Sequence, residues 1–325
     1  MTRSLGFGTV ALAAGLLALA GCAGGGDGWQ DRPGPKVLAF FPPLYSLAAQ
    51  VAGDDAQVQS LLTAKGPHDY EFQPTDARKL RRADLFLING LGLDDDVGKR
   101  LAATAGNPKL KTVEVGESVP EADLLAAGGH EHAEHGHDHG DKHEHGAHDP
   151  HVWLGIPEAV HMVGAIRDAL TEADPAHKDG YAKRADALTG RLLQLQAEGR
   201  DMLRNKSEKA RLLTQHDAMR YFARSFGAEV VGVIDLPGQE PSGQRLRELV
   251  KLCRDHEVKL IAVEPQYQAN QAGPVILTEL HAKGVAGAAF VVLDPMETAD
   301  PAALTPDFYE RTMRANLDNL AGALK

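Results

Sequence analysis

Residues 175–206 read PAHKDGYAKRADALTGRLLQLQAEGRDMLRNK. Tyr181, Ala185, Leu188, Leu192, Leu195 and Met202 recur at helical spacing, which predicts one long amphipathic helix with a single apolar stripe. Pro175 suits the first turn, where a missing N–H costs nothing. The meaning of the helix depends on what flanks it. Before it, Lys36–Phe41 reads as a buried strand, Leu44–Val51 as a helix, then Gly53, then a strand near Val58–Leu62. Pro74-Thr75-Asp76 opens a further helix with capping chemistry, and Leu85-Phe86-Leu87-Ile88 follows as a strand. After the long helix the same order returns: strand Arg211–Thr214, helix Ala218–Phe226, Gly227, strand Glu229–Ile234, a helix opened by Glu240-Pro241-Ser242, and strand Lys259–Val263. The repeat predicts an α/β fold of two pseudo-repeated lobes with mostly parallel sheets. A continuous helix between them would be a stiff strut. A helix packed on one lobe alone would carry the same stripe, so periodicity leaves both arrangements open.

The chain has 325 residues, 43% of them hydrophobic and 24% charged, with a net charge of −11. That balance argues against nucleic acid, whose binders need clustered Lys and Arg to replace counterions. Arg3 precedes the apolar run Val10–Ala20, which is too short to cross about 30 Å of hydrocarbon comfortably and reads as an export signal. Leu19-Ala20-Gly21-Cys22 resembles the bacterial lipobox, so Cys22 is expected to carry lipid and anchor the chain outside the cytoplasm. Cys253 then has no partner and reads as a small buried hydrophobe. No Cys-x-x-Cys occurs, so a metal site here must use nitrogen and oxygen ligands.

Between Gly128 and His148 the chain is almost wholly His, Glu, Asp, Gly, Ala and Lys, including His130, His132, His135, His137, His139, His143, His145 and His148. It holds no apolar residue large enough to anchor a core, so a disordered loop with weak, exchangeable metal sites is expected. The resulting layout is a signal over 1–21, a tether over 22–35 and a first lobe over 36–174. A connecting helix over 175–206 and a second lobe over 207–325 complete it.

Four other residues stand where ligands bind in open α/β sheets, at or beyond a strand's C-terminal end or at a loop's return. His68 begins the loop Gly66-Pro67-His68-Asp69-Tyr70, and His151 stands where the His-rich segment re-enters the fold. His216 follows the strand ending at Thr214, and Asp294 follows the apolar run Ala289–Leu293. Two come from each lobe, which puts a shared site in the interlobe cleft. Imidazole is the commonest metal ligand, and three imidazoles with a carboxylate suit Zn²⁺ better than Mn²⁺ or Mg²⁺. Asp294 before Pro295 also reads as a turn initiator.

Several segments together carry a resemblance: Pro67-His68-Asp69-Tyr70-Glu71 through Pro74-Thr75, Asn89–Asp94, Asp149-Pro150-His151-Val152-Trp153-Leu154, Thr214–Ala218, Val263–Gln266 and Leu293-Asp294-Pro295. The chain resembles the solute-binding proteins of zinc and manganese ABC importers. The resemblance implies a rigid helix joining two α/β lobes, with a membrane permease as partner and a monomeric receptor. It implies His68, His151 and His216 as metal ligands, with Asp294 or a water in the fourth position. A histidine at 216, where manganese receptors tend to carry Glu, favours zinc as the transported ion, as does the His-rich insertion. A zinc hydrolase is the enzymatic rival, but the chain has no His-Glu-x-x-His and no Gly-x-Ser-x-Gly motif. A surface adhesin or zinc buffer on the same fold remains a further alternative.

Overall fold

Leu85-Phe86-Leu87-Ile88 is apolar at every position, a pattern useful only in a sheet covered on both faces. The computed structural model describes residues 28–128, 147–206, 210–234, 241–267, 272–285 and 287–324. The proposed lipid site Cys22 and His130, His132, His135, His137, His139, His143 and His145 lie outside these residues.

In the first lobe, β1 (Lys36–Ala39), β2 (Gln57–Ser60), β3 (Leu85–Ile88) and β4 (Lys111–Glu114) form a parallel sheet in the order β2-β1-β3-β4. The second lobe repeats it with β5 (Arg211–Thr214), β6 (Glu229–Val233), β7 (Leu260–Val263) and β8 (Ala289–Val292), ordered β6-β5-β7-β8 and again parallel. Each crossover carries the chain back over the sheet, as parallel pairing requires. Helices α1 (Pro42–Ala52), α2 (Ala77–Leu80) and α3 (Asp95–Ala105) belong to the first lobe, and α4 (Ile156–Ala173) packs on its sheet. The helix expected from Pro74 is only the four residues of α2. Asp76 at its start makes no capping bond and instead accepts from the Tyr70 hydroxyl at 2.9 Å.

The long helix is α5, Lys178–Leu203, preceded by a turn of 3₁₀ helix over Pro175–His177. At about 1.5 Å per residue it runs about 39 Å. It packs on α1 and α4, and also on α6 (Arg220–Phe226) and on α9 (Phe308–Ala323), so it touches both lobes. Near one end Arg184 donates to the Val51 and Ala52 carbonyls at the end of α1. Near the other Arg200 donates to the Ser225 carbonyl in α6 at 2.7 Å. The strut arrangement is therefore the one adopted.

The two lobes share a core. One continuous apolar cluster joins Val37, Phe41 and Leu87 to Phe222, Leu260 and Leu317. A smaller cluster around Ile261 and Cys253 lies beneath α7 (Gly243–Asp255) and α8 (Ala272–Ala282). Helix α9 returns to the first lobe, where the Tyr309 N–H donates to Ser46 Oγ, which itself donates to the Pro306 carbonyl. Ser242 caps α7 by accepting from the Arg245 N–H.

One boundary differs from the sequence expectation. Residues assigned to a tether are docked from Trp29 onward: its buried indole donates to the Lys79 carbonyl at 2.8 Å, and Gln30 pairs with Gln57. An aromatic of this size gains too much by burial to stay in solvent when a groove accepts it. Among the described residues no helix is long and apolar enough to cross a membrane.

Candidate metal centre

His68 lies in the loop after β2, His151 just before a 3₁₀ turn over Val152–Leu154, and His216 two residues beyond β5. The structure brings these three together with Glu297, from the loop after β8. Glu297 Oε1 stands 3.0 Å from His216 Nε2, 3.5 Å from His68 Nε2 and 3.7 Å from His151 Nε2. His68 Nε2 and His151 Nε2 are 3.1 Å apart. Ligand atoms about 2.0–2.1 Å from one centre in a tetrahedron are about 3.3–3.4 Å from each other. The four observed separations bracket that value, so the group could hold one tetrahedral ion.

Burial is graded around the site. The His151, His216 and Glu297 side chains are 6%, 4% and 0% exposed, whereas His68 keeps 27%. His68 is thus the wall through which an ion would enter.

Each buried imidazole has a carboxylate on its other nitrogen. Asp149 Oδ1 lies 2.8 Å from His151 Nδ1 and also accepts the His151 backbone N–H. Glu264 Oε1 lies 2.6 Å from His216 Nδ1, and Gln266 Nε2 donates to the other Glu264 oxygen. Such partners fix the tautomer that leaves Nε2 free for metal and raise its basicity. Glu264 follows β7, so the loops after β2 of the first sheet and after β5, β7 and β8 of the second converge on one point.

The charges are mutually set. Burial by itself opposes ionisation of Glu297, but His216, His68 and His151 outweigh it and lower the carboxyl to about 2. Burial likewise opposes charge on His216, yet Glu297 and Glu264 hold its pKa well above the ordinary imidazole value. Each group thus favours the charged form of the other across 3.0 Å.

Asp294, the fourth ligand expected from the sequence, is not in the group. Its Oδ1 accepts the Met296 N–H at 2.7 Å, and its backbone N–H and carbonyl are both bonded to the Asn316 side chain. Burial first, then the nearby Glu264 and Glu297, push its carboxyl up to about 6 against the Met296 N–H. It shapes a turn through Met296, at φ 64°, that carries Glu297 to the site. The turn-initiator reading of Asp-Pro is the one realised. The one local signal for Glu297 is that it is a second carboxylate three residues beyond Asp294 in the same strand-end loop.

The His-rich segment is closed at its base by an antiparallel bridge between Ala126 and His148, with the Ala127 N–H donating to Ala147 O and the Asp149 N–H to Leu125 O. His148 Nε2 lies 3.2 Å from Glu121 Oε1. The base therefore abuts Asp149, the residue that holds His151.

The family described as zinc-uptake complex component A periplasmic matches residues 37–323. The chain belongs to that family. Among curated members and relatives, zinc-binding lipoprotein AdcA of Streptococcus pneumoniae strain R6 is 34% identical over 268 residues, 81% of this chain and 50% of the relative. Manganese-binding lipoprotein MntA of Bacillus subtilis is 29% identical over 265 residues, covering 80% of each. The Mn²⁺ complex of the Pseudomonas aeruginosa solute-binding protein FpvC superposes with a TM-score of 0.75 at 28% identity, covering 89% of this chain and 98% of that one. The chain spans about half the length of the curated AdcA relatives it matches.

Proposed function

We propose that this family member is an extracytoplasmic receptor that captures Zn²⁺ through His68, His151, His216 and Glu297 and delivers it to the permease of an ABC importer. The observation that carries the reading is the convergence of three imidazole nitrogens and one carboxylate oxygen at tetrahedral separations. Three nitrogens and one oxygen suit zinc, whereas manganese prefers more oxygen donors and higher coordination. The names of the zinc-binding and solute-binding relatives agree with capture and release. Four protein ligands leave no open position for a substrate, so the site serves binding, not catalysis. The His-rich segment adds weak sites that raise local zinc near the entry wall. Lipid on Cys22 holds the receptor, acting as a monomer, to the membrane that carries the permease.

The test is equilibrium competition with a chromophoric zinc chelator, using the processed chain with and without residues 129–146. One tight site surviving the deletion, and lost in His216→Ala, is the expected result. Tight binding that disappears with the segment alone, or that prefers Mn²⁺ in direct competition, would sink the proposal.

A further inference from the structure

Arg184, Arg191, Arg211, Arg220, Arg224 and Arg314 each face a carboxylate within 4.0 Å. The α2–α3 corner of the first lobe gathers several cations that do not. Arg78, Arg81, Lys99 and Arg100 are exposed there, Lys79 is half-buried, and none of these five enters an ion pair among the described residues. The corner is one packed unit: α2 lies on α3, and Asn107 just beyond α3 donates to the Leu80 and Ala83 carbonyls. Arg100 is held over the Phe72 ring at 4.6 Å, which keeps its charge at the surface. The acids on these helices, Asp95 and Asp96, sit in the first turn of α3, where the helix dipole favours them.

A second, independent feature points to the same corner. The N-terminal segment is pinned there, with Trp29 buried and its indole bonded to the carbonyl of Lys79 in α2. From Cys22 to Gly28 is six residue steps, and at about 3.3–3.6 Å per residue the leash reaches about 20–22 Å at full extension. A lipid on Cys22 therefore tethers α2 where a slack leash lets it touch the headgroups, although at full extension the charges would be screened.

We propose that the basic α2–α3 face docks on anionic lipid headgroups and fixes the receptor's orientation on its membrane. This rests on the lipid-anchored reading of Cys22 for the leash, while the unneutralised charge stands without it. Arg and Lys near an anionic surface each strengthen binding about fivefold. A handful of cations gives a weak surface contact that becomes effective once the lipid removes the cost of capture.

The experiment uses residues 23–325, unacylated, which keep every described residue, and sediments them with phosphatidylcholine vesicles with or without phosphatidylglycerol as the anionic probe lipid. Binding is expected only to the anionic vesicles, released by high salt. The triple variant Arg78→Glu, Lys99→Glu, Arg81→Glu should lose it by more than about tenfold. Reversal of the exposed second-lobe cations Arg247→Glu and Arg254→Glu should leave it intact. Unchanged melting and zinc titration would show that the variants fold. No binding to anionic vesicles, or equal binding by the triple variant, overturns the proposal. So does loss of zinc uptake in cells by a triple variant whose wild type never binds vesicles, since that assigns the face to a protein partner. Incorporation of labelled fatty acid into the full chain tests the anchor separately, and its outcome does not depend on the basic face.

Discussion

Trp153 donates its indole N–H to the carbonyl of Pro295 at 2.8 Å, across the seam between the lobes. Its own carbonyl accepts the Tyr309 hydroxyl, and its ring meets Phe41 edge-on at 4.8 Å and packs beside His151 at 5.2 Å. Trp153 stands two residues beyond one proposed ligand, and Pro295 two before another. This buried contact thus ties the segment that carries the first lobe's His151 to the loop that carries the second lobe's Glu297. The Ala299 N–H donating to Thr63 O braces the other side of the same loop.

Replacing Trp153 with Phe removes that donor and leaves the Pro295 carbonyl buried without it. Such a loss costs about 1–3 kcal/mol, with a further penalty for the unfilled ring volume. The variant should melt at lower temperature and bind zinc more weakly, because the two halves of the site lose their common brace. Melting curves with and without zinc, paired with chelator competition, check both. A less stable variant with unchanged affinity would mean the seam does not position the ligands.

Glu297 and Asp294 lie in one loop and are both carboxylates, yet their predicted behaviour differs. Glu297→Gln removes the carboxylate that faces the Nε2 atoms of all three histidines and should weaken zinc binding by more than the roughly 10–100-fold that outer partners are worth. Asp294→Asn keeps an oxygen for the Met296 N–H and should leave affinity unchanged. Isothermal titration of the two variants decides between the geometry and the sequence-based expectation. The opposite ranking would return Asp294 to the site.

That contrast marks where sequence reading stopped. Strands β3 and β5 match their expected limits to the residue; β3 is a continuous apolar run bounded by Asp84 and Asn89, which leaves it little freedom. The two-lobe repeat and the long helix were likewise legible from period and punctuation, whereas its role as a strut was implied only by the family resemblance. Strand β4, Lys-Thr-Val-Glu, was not legible, since it has no apolar run and is only half-covered. His68, His151 and His216 stood out because histidine at a strand end is rare and chemically pointed. Glu297 depended on a left-handed turn at Met296, and Trp29 on a groove between segments far apart in sequence. Those are tertiary facts with no local pattern.

The coupled charges predict the pH response. His216 is raised, so in the metal-free pocket it is protonated at neutral pH, and zinc must displace that proton. Affinity should fall steadily as pH drops from 8 to 6, about tenfold per unit for one displaced proton. For the metal-free fold the sign follows from linkage. The His216 contribution is complete below the unfolded imidazole value near 6.5 and is lost as pH rises through its raised folded value. The Glu297 contribution is complete above its unfolded value of 4.5 and is lost as pH falls towards about 2. In chelator the melting temperature should therefore peak between these limits and decline into the alkaline range. With zinc present the alkaline decline should vanish, because metal replaces the proton between the same groups.

The strut offers a test in which one substitution changes sign along one helix. Gly190 and Gly199 both lie inside α5, where glycine is less stable than alanine by about 0.5–1 kcal/mol. A methyl at Gly190 would meet nothing within 4 Å, so Gly190→Ala should raise the denaturation midpoint by the full helix-propensity gain. A methyl at Gly199 would stand 2.6 Å from the Phe226 ring and 2.8 Å from Leu317 Cδ1. Both neighbours are buried where α5 meets α6 and α9, so neither has free space to move into. Overpacking of this kind costs about 1–3 kcal/mol, which exceeds the propensity gain, and Gly199→Ala should lower the midpoint. Gly199→Val enlarges the clash and should lower it further. Urea titrations of the three variants give the ordering directly. If Gly199→Ala proved as stabilising as Gly190→Ala, α5 would not be clamped to the second lobe, and a strut free at that end could not hold the two halves of the metal centre at fixed spacing.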